Sequence, residues 1–389
     1  MADRILRRAP VLERSNAEGK RESEKLQRSR REGIYCDQDW RTPKLPGIFS
    51  ELAPLAVPQQ GRALRFIMPI VADSSYRAPW FLSNGHLQTL FPHLLRRVRG
   101  VRYDRERIET PDKDFLDLDW VRTGSRRLAV VAHGLEGDST RHYMLGMVRA
   151  LAKRGWDVVA WNARGCSGEP NRSPRFTHSG ATEDLQTVLS RVLGTNDYSD
   201  LTLLGFSLGG NLTLKYLGER ARLLDPRIKA AVAFSVPCDL RSGSIQLAKP
   251  INQVYMRRFL ATLHDKIRSL MKLMPGKVDD HGYKNMRSFK DFDDRYTAPL
   301  HGFKDAEDYW RQCSCKPYLK DIHIPTLLVN ARNDPFLADP CYPVEEARQN
   351  SNVHLEMPRS GGHVGFVSFN HGGEYWSETR AGSFLGASL

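Results

Sequence analysis

One serine stands in a pattern that would make it a nucleophile. Residues 205–209 read GFSLG, which matches the G-x-S-x-G pattern of a sharp turn between a strand and a helix. The turn strains the serine backbone, so the positions two before and two after it must lack bulk, and Gly205 and Gly209 occupy them. The apolar run before Ser207 and the helical pattern after it favour this interpretation over a glycine-rich phosphate turn or a plain tight connection.

A serine hydroxyl is a weak nucleophile, so it needs a base, and the base needs an acid that orients it. In this arrangement the acid and then the histidine follow the serine along the chain. Asp334 comes directly after a predicted strand at 326–330, and the alternative for this position is an aspartate that only forms a turn. Asp239 is a competing acid, and Asp339 is a weaker one.

The predicted base is His363, in the loop PRSGGH that follows the last predicted strand. Because ligands and catalytic groups gather at the carboxyl ends of parallel strands, we expect His363 to lie near Ser207 and Asp334. His354, inside that strand, and His371, beyond the loop, are interpreted as structural or surface histidines.

The attack of a serine on a carbonyl produces a negative oxygen that needs fixed N–H donors. The first predicted donor is the backbone N–H of Leu208, directly after the nucleophile. The second is Leu135, in the turn HGLEG at 133–137 that follows another predicted strand, and we expect His133 to shape this loop rather than to react. This chemistry requires no metal and no organic cofactor.

Short apolar runs alternate with longer amphipathic ones, which predicts an α/β fold with a central, mostly parallel sheet flanked by helices. The predicted strands are 115–120, 128–132, 156–161, 201–206, 230–234, 326–330 and 353–357. The predicted helices are 142–154, 182–193, 208–222, 340–349 and 374–384.

Two segments depart from this alternation. Residues 1–67 are charged and broken by proline and glycine, so we expect a poorly ordered basic N-terminal segment, with the functional domain at 68–389 and its start near Met68. Residues 239–316 show no strand pattern and are helical, cationic and rich in methionine and aromatic residues, which predicts a helical cap inserted over one edge of the sheet.

The net charge of +13 raises the question of nucleic-acid binding. Residues 1–67 hold 14 basic and 9 acidic residues, and the remaining surplus is spread along the chain, so we expect no specific nucleic-acid partner. No window of the sequence reads as a transmembrane segment or a signal peptide, which favours a cytoplasmic protein and leaves open a peripheral contact with a membrane. The oligomeric state is not determined by the sequence.

Several separate motifs resemble the YheT-like family of the α/β-hydrolase superfamily over residues 70–389. They are SNGHLQTL at 83–90, HGLEG at 133–137, NARGCSGEPNR at 162–172, GFSLGGNL at 205–212 and DDRYTAPLHGF at 293–303. In the first of these, we expect Asn84, His86 and Gln88 to bond the backbone of neighbouring loops. We expect the turn at 164–168 to line the floor of the site.

The resemblance implies an α/β-hydrolase fold and a carboxylesterase whose triad maps onto Ser207, Asp334 and His363. The apolar, methionine-containing cap favours small-molecule esters with short or medium acyl chains. Two alternatives use the same triad, namely acyl transfer to an alcohol and action on lipid esters. A third, more distant one is a non-catalytic binding protein on a hydrolase fold.

Overall fold

Nine strands form one sheet in the part of the chain that the computed structural model describes, residues 69–195 and 197–388. They are β1 (Ile70–Val71), β2 (Asp104–Glu109), β3 (Phe115–Val121), β4 (Arg127–Ala132), β5 (Asp157–Asn162), β6 (Asp200–Phe206), β7 (Ile228–Phe234), β8 (Thr326–Val329) and β9 (Val353–Glu356). Their order across the sheet is β1-β9-β8-β7-β6-β4-β5-β3-β2. Neighbours are parallel, except that β3 is antiparallel to both β2 and β5.

Eleven α-helices accompany the sheet within the same described residues. They are α1 (Gly85–Leu95), α2 (His142–Lys153), α3 (Thr182–Leu193), α4 (Leu208–Arg220), α5 (Leu240–Ala248), α6 (Gln253–Leu273), α7 (Phe289–Phe292), α8 (Ala298–His301), α9 (Ala306–Cys313), α10 (Val344–Gln349) and α11 (Trp376–Ser388). One apolar core joins α3 and α4 to one face of the sheet, and a second joins α2 and α11 to the other. Strands β4, β6 and β7 are therefore covered on both faces, which explains their continuous apolar sequences.

All seven predicted strands are present, with ends that differ by at most two residues. Two strands were missed. The strand β2 has the sequence DRERIE, and its arginines pair with aspartates of the neighbouring β3 across the edge of the sheet, so it offers no apolar run. The strand β1 has only two residues and depends on its pairing with β9. The helix predicted at 340–349 begins at Val344, because a separate turn occupies Asp339–Cys341.

The region that we predicted to be a cap consists of helices α5 to α9 and a π-helical turn at Asp293–Thr297. These helices have a core of their own, in which Tyr255, Leu263, Tyr283 and Phe292 are buried. None of the helices in the described ranges is both long and apolar enough to cross a bilayer. Our expectations for residues 1–67 and for a start near Met68 lie outside the described residues.

Candidate active site

The turn between β6 and α4 has the geometry expected of a nucleophile elbow. Ser207 lies at φ 52° and ψ −117°, a conformation that side-chain-bearing residues rarely adopt. A Cβ atom added at Gly205 would lie 2.3 Å from the carbonyl oxygen of Gly209, and one added at Gly209 would lie 2.5 Å from that of His133. Both glycines are therefore required for the sharp turn that exposes the serine at the sheet edge.

Ser207, His363 and Asp334 meet at this edge. The Ser207 Oγ lies 2.9 Å from Nε2 of His363, and Nδ1 of His363 lies 2.9 Å from Oδ2 of Asp334. The Asp334 side chain is fully buried, and one of its oxygens also accepts the backbone N–H of Phe336. The imidazole is thus fixed with one nitrogen toward the carboxylate and the other toward the serine.

The loop that carries His363 is held by partners that the sequence analysis missed. The backbone N–H of His363 donates to Oγ1 of Thr89, and that of Val364 donates to Oγ of Ser235. The ring of Phe336 stacks on the imidazole with 4.1 Å between ring centroids. Of these partners, Thr89 lies within the motif SNGHLQTL, so this motif was the available signal.

The predicted oxyanion donors flank the serine. Leu208 is the first residue of α4, so its N–H has no acceptor within the helix. Leu135 lines the cleft beside Ser207, and a Cβ atom on neighbouring Gly134 would lie 3.2 Å from the Ser207 Cβ. The hydroxyl of Tyr143 accepts the Gly134 N–H at 3.1 Å, which fixes the loop from below.

His133 holds the HGLEG loop in place and lies away from the serine hydroxyl. Its Nε2 accepts the backbone N–H of Ala163, and its Nδ1 lies 2.8 Å from the carbonyl oxygen of Gly134. Burial lowers the pKa of this imidazole, which favours the neutral form that these two bonds require. The prediction that His133 shapes the loop is confirmed.

The competing acids and bases lie elsewhere. Asp239 caps α5 by accepting the backbone N–H of Ser242, and Asp339 is exposed in a turn beyond Asp334. His354 is buried in β9 against Phe384, and His371 is exposed. Each of these four side chains has a structural or surface position. The sequence analysis favoured this for the two histidines and had kept the two aspartates as competing acids.

Two expectations for the family motifs were wrong. Among the described residues, the side chains of Asn84, His86 and Gln88 show no bond to the backbone of a neighbouring loop: Asn84 caps α1, while His86 and Gln88 bond tyrosine hydroxyls. None of residues 164–168 is among the described residues that line the cleft at Ser207, and the Arg164 side chain is buried in ion pairs with Asp112, Asp114 and Asp184.

A cleft with two arms opens on either side of Ser207 and His363. The first, which we call the apolar arm, is lined mainly by Leu240, Leu247, Phe259, Leu263, Phe289 and Phe292. The second, which we call the polar arm, also has an apolar lining, but it includes the polar and charged residues His93, Glu136, Arg141, His142, Tyr255 and Arg258. An ester carbonyl placed at Ser207 would therefore have space for one substituent in each arm.

The apolar arm contains a single carboxyl group among the described residues that line it, that of Asp293. Its oxygens accept Oγ1–H of Thr297 at 2.6 Å and Nε1–H of Trp310 at 2.8 Å. Burial raises the pKa of Asp293 to about 7, because no cation compensates the charge.

One buried ion pair joins the cap to the oxyanion loop. Nζ of Lys266 on α6 lies 2.6 Å from a carboxylate oxygen of Glu136, and both side chains are 10 % exposed. Burial lowers the pKa of Lys266, but Cys166 and Glu136 beside it outweigh this effect and raise the pKa above its ordinary value. Because Glu136 follows Leu135 directly, this contact bears on the position of a predicted oxyanion donor.

Comparison with known proteins gives consistent matches. The family described as the alpha/beta hydrolase fold matches residues 130–369. YheT of Escherichia coli, an esterase by name, is 37 % identical over 78 % of this chain and 90 % of its own. Phospholipase ABHD3 of Homo sapiens is 31 % identical over 79 % of this chain and 76 % of its own. A structure of the Pyrococcus furiosus esterase Pf2001 aligns with a TM-score of 0.50 at 21 % identity, covering 74 % of this chain and 92 % of that one.

Proposed function

The chain belongs to the α/β-hydrolase fold family, and from this membership we propose that it is a serine hydrolase that cleaves carboxylic esters. The observation that carries the proposal is the hydrogen-bonded series from Ser207 Oγ through His363 to the buried carboxylate of Asp334. A serine in a strained turn, a base within 2.9 Å of its hydroxyl and an acid behind the base are together what acyl transfer requires.

In the proposed mechanism, His363 Nε2 takes the proton of Ser207 as the serine oxygen bonds to the ester carbonyl carbon. Asp334 holds the imidazole in the tautomer that can accept this proton and stabilises the imidazolium. The N–H groups of Leu135 and Leu208 bind the oxyanion. Collapse of the intermediate breaks the bond to the alcohol oxygen, which receives the proton from His363. Water then gives a proton to His363 and attacks the acyl carbon, and the bond to Ser207 breaks. The serine oxygen takes the proton back from His363, and the acid is released.

The apolar arm supports short or medium acyl chains as the preferred substrates. It is bounded by aromatic and aliphatic side chains of the cap, and Asp293 and Trp310 lie among its lining residues. A graded series of p-nitrophenyl esters, from acetyl to palmitoyl, measures this preference. We expect kcat/KM to peak at short or medium length, and a flat profile or a preference for long chains alone would refute it.

The central experiment labels the purified protein with a fluorophosphonate probe and locates the adduct by mass spectrometry. We expect labelling at Ser207, loss of labelling in Ser207→Ala, and a fall in esterase activity of roughly 10⁴-fold or more. Ser199→Ala is the matched control, because Ser199 is an exposed serine directly before the first residue of β6, the strand that ends beside Ser207. Adducts at another residue, or full labelling of Ser207→Ala, would overturn the proposal.

A lipid ester is the second candidate substrate class. The apolar lining of the arm favours it, and one relative is named a phospholipase. Product analysis on a phospholipid, with and without an added alcohol, distinguishes three outcomes: hydrolysis of the lipid, transfer of its acyl group to the alcohol, and no reaction. The last outcome restricts the function to small esters.

A further inference from the structure

The polar arm of the cleft has a chemical character that the proposed mechanism leaves unused. The two substituents of an ester carbonyl point in different directions from Ser207, and the apolar arm accommodates an acyl chain. The alcohol half then extends into the polar arm, whose lining includes Tyr255, Arg258 and Arg141. What these arginines can bind therefore bears on which alcohol the substrate carries.

Arg258 has donor capacity that the protein does not use. It projects from α6 and is exposed, and one of its terminal nitrogens lies 2.6 Å from Nε2 of His93. A guanidinium group carries five N–H donors, and no carboxylate pairs with Arg258 among the described residues. Its remaining donors are available to a ligand in the cleft.

Arg141 adds a second positive charge to the same arm. Its Nε lies 3.3 Å from a carboxylate oxygen of Asp138, and a terminal nitrogen donates to the carbonyl oxygen of Glu136 at 2.9 Å. Its side chain is still 35 % exposed. Arg141 and Arg258 thus border one cleft from two different elements.

The carboxylate in the polar arm does not neutralise this pair. Among the described residues that line the arm, Glu136 is the only carboxylate, and its oxygen lies 2.6 Å from Nζ of Lys266. Lys266 therefore balances the charge of Glu136, and Asp138 balances that of Arg141. Arg258 leaves one net positive charge at the cleft.

The pKa of His93 shows the combined effect of the two arginines. Burial, followed by the charges of Arg258 and Arg141, lowers the pKa of His93, so that its Nε2 remains an acceptor for Arg258. Two like charges at one cleft repel each other unless an anion lies between them. Planar guanidinium groups bind phosphate and carboxylate oxygens in pairs of charge-assisted hydrogen bonds.

We propose that Arg258, assisted by Arg141, forms an anion-binding subsite for the alcohol half of the substrate, which selects esters whose alcohol carries a phosphate or a carboxylate. This inference rests on the proposed ester hydrolysis at Ser207. In this proposal Arg258, an exposed arginine of the cap, discriminates between substrates without taking part in the reaction itself.

The test compares a butyryl ester of glycerol phosphate with the butyryl ester of glycerol. The readout is the ratio of kcat/KM for the two esters within one variant, so that a general loss of activity cancels. We expect the native protein to favour the phosphate ester through a lower KM, and Arg258→Gln to reduce the ratio by roughly ten- to a hundredfold. Arg258→Lys keeps the positive charge without the planar guanidinium group, so its ratio should lie between those of the native protein and Arg258→Gln.

Arg257→Gln is the matched control, because Arg257 is the neighbouring exposed arginine on α6 and does not line either arm. We expect its ratio to equal that of the native protein. A native ratio of one or less, or equal ratios in Arg258→Gln and the native protein, would overturn the subsite.

A second experiment, with lipid vesicles, identifies the source of the anion. Phosphatidic acid in phosphatidylcholine vesicles presents the phosphate as a headgroup, whereas glycerol phosphate presents it in solution. If kcat/KM depends on Arg258 for the soluble esters alone, the subsite binds soluble phosphate esters. If it depends on Arg258 for both the soluble esters and the vesicles, the subsite binds the phosphate group wherever it occurs. If the neutral ester is cleaved and Ser207 is labelled without any preference for phosphate, the subsite fails and the proposed function stands. If no ester is cleaved and no label forms, both fail.

Discussion

The sheet edge and the cap contribute to the same cleft by different means. At the sheet edge, the positions of Ser207, Asp334 and His363 follow from the ends of the parallel strands β6, β8 and β9. In the cap, the lining side chains belong to helices that pack mainly on one another. One region is thus positioned by backbone pairing, and the other by packing of side chains.

This difference separates reactivity from selectivity. A sheet edge fixed by hydrogen-bonded strands keeps the proposed nucleophile, base and acid within hydrogen-bonding distance, which the proposed chemistry demands. The cap helices contact that edge through side chains instead, such as Lys266 with Glu136, Tyr255 with His86 and Tyr255 with Phe336. Substitutions at the sheet edge should therefore change rates most, and substitutions in the cap should change discrimination, coupling and stability.

The largest effect is expected at Asp334. In Asp334→Asn the amide cannot hold the imidazole in the required tautomer or stabilise its charge, so we expect kcat to fall by roughly 10⁴-fold with little change in KM. Steady-state kinetics with a short p-nitrophenyl ester measures this.

Asp239→Asn is the matched control for this substitution. Asp239 also follows a strand of the sheet, but its side chain caps α5. Because asparagine caps helices about as well as aspartate, kcat should stay within about threefold of the native value. Equal losses in the two variants would contradict the assignment of the acid and, with it, the distinction between the two regions.

The sheet edge could be predicted from the sequence because its determinants are local. The glycines around Ser207, the continuous apolar strands and the loops that follow them indicated both the fold and the three side chains. The partners that hold the site could not be predicted in this way. Thr89 and Ser235 reach the site through contacts between segments far apart in the sequence, and the charged edge strand β2 lacks an apolar pattern.

The next effect in size is expected at the contact between the two regions. In Lys266→Met, Glu136 loses its cation while it remains nearly buried, which should displace the HGLEG loop and the donor at Leu135. We expect kcat to fall by about tenfold, less than the loss of a whole oxyanion donor. Lys272→Met, at an exposed position in the last turn of the same helix, should leave kcat unchanged.

A double variant decides whether this effect belongs to the ion pair. Glu136→Gln with Lys266→Met removes both charges, so we expect a loss smaller than the sum of the two single losses, with a coupling free energy of about 1–3 kcal/mol. Strictly additive losses would mean that the cap and the oxyanion loop are not coupled through this pair.

The smallest effect is expected at Asp293 and concerns stability. Its pKa of about 7 in the folded protein exceeds the value of 3.8 for an exposed aspartate, so the folded state binds more protons between these values and stability falls as pH rises through about 7. Asp293→Asn removes this titration, which amounts to about 4 kcal/mol at most. Relative to the native protein, the margin by which its Tm is higher should therefore be larger at about pH 8 than at about pH 5, by a few degrees. In the neighbouring Asp294, the pKa is lowered despite burial, by hydrogen bonds from Lys290 and the backbone of Ala306. Asp294→Asn should therefore shift Tm equally at both pH values. If the dependence of Tm on pH is the same in Asp293→Asn and in the native protein, the buried carboxyl group of Asp293 does not cause the loss of stability.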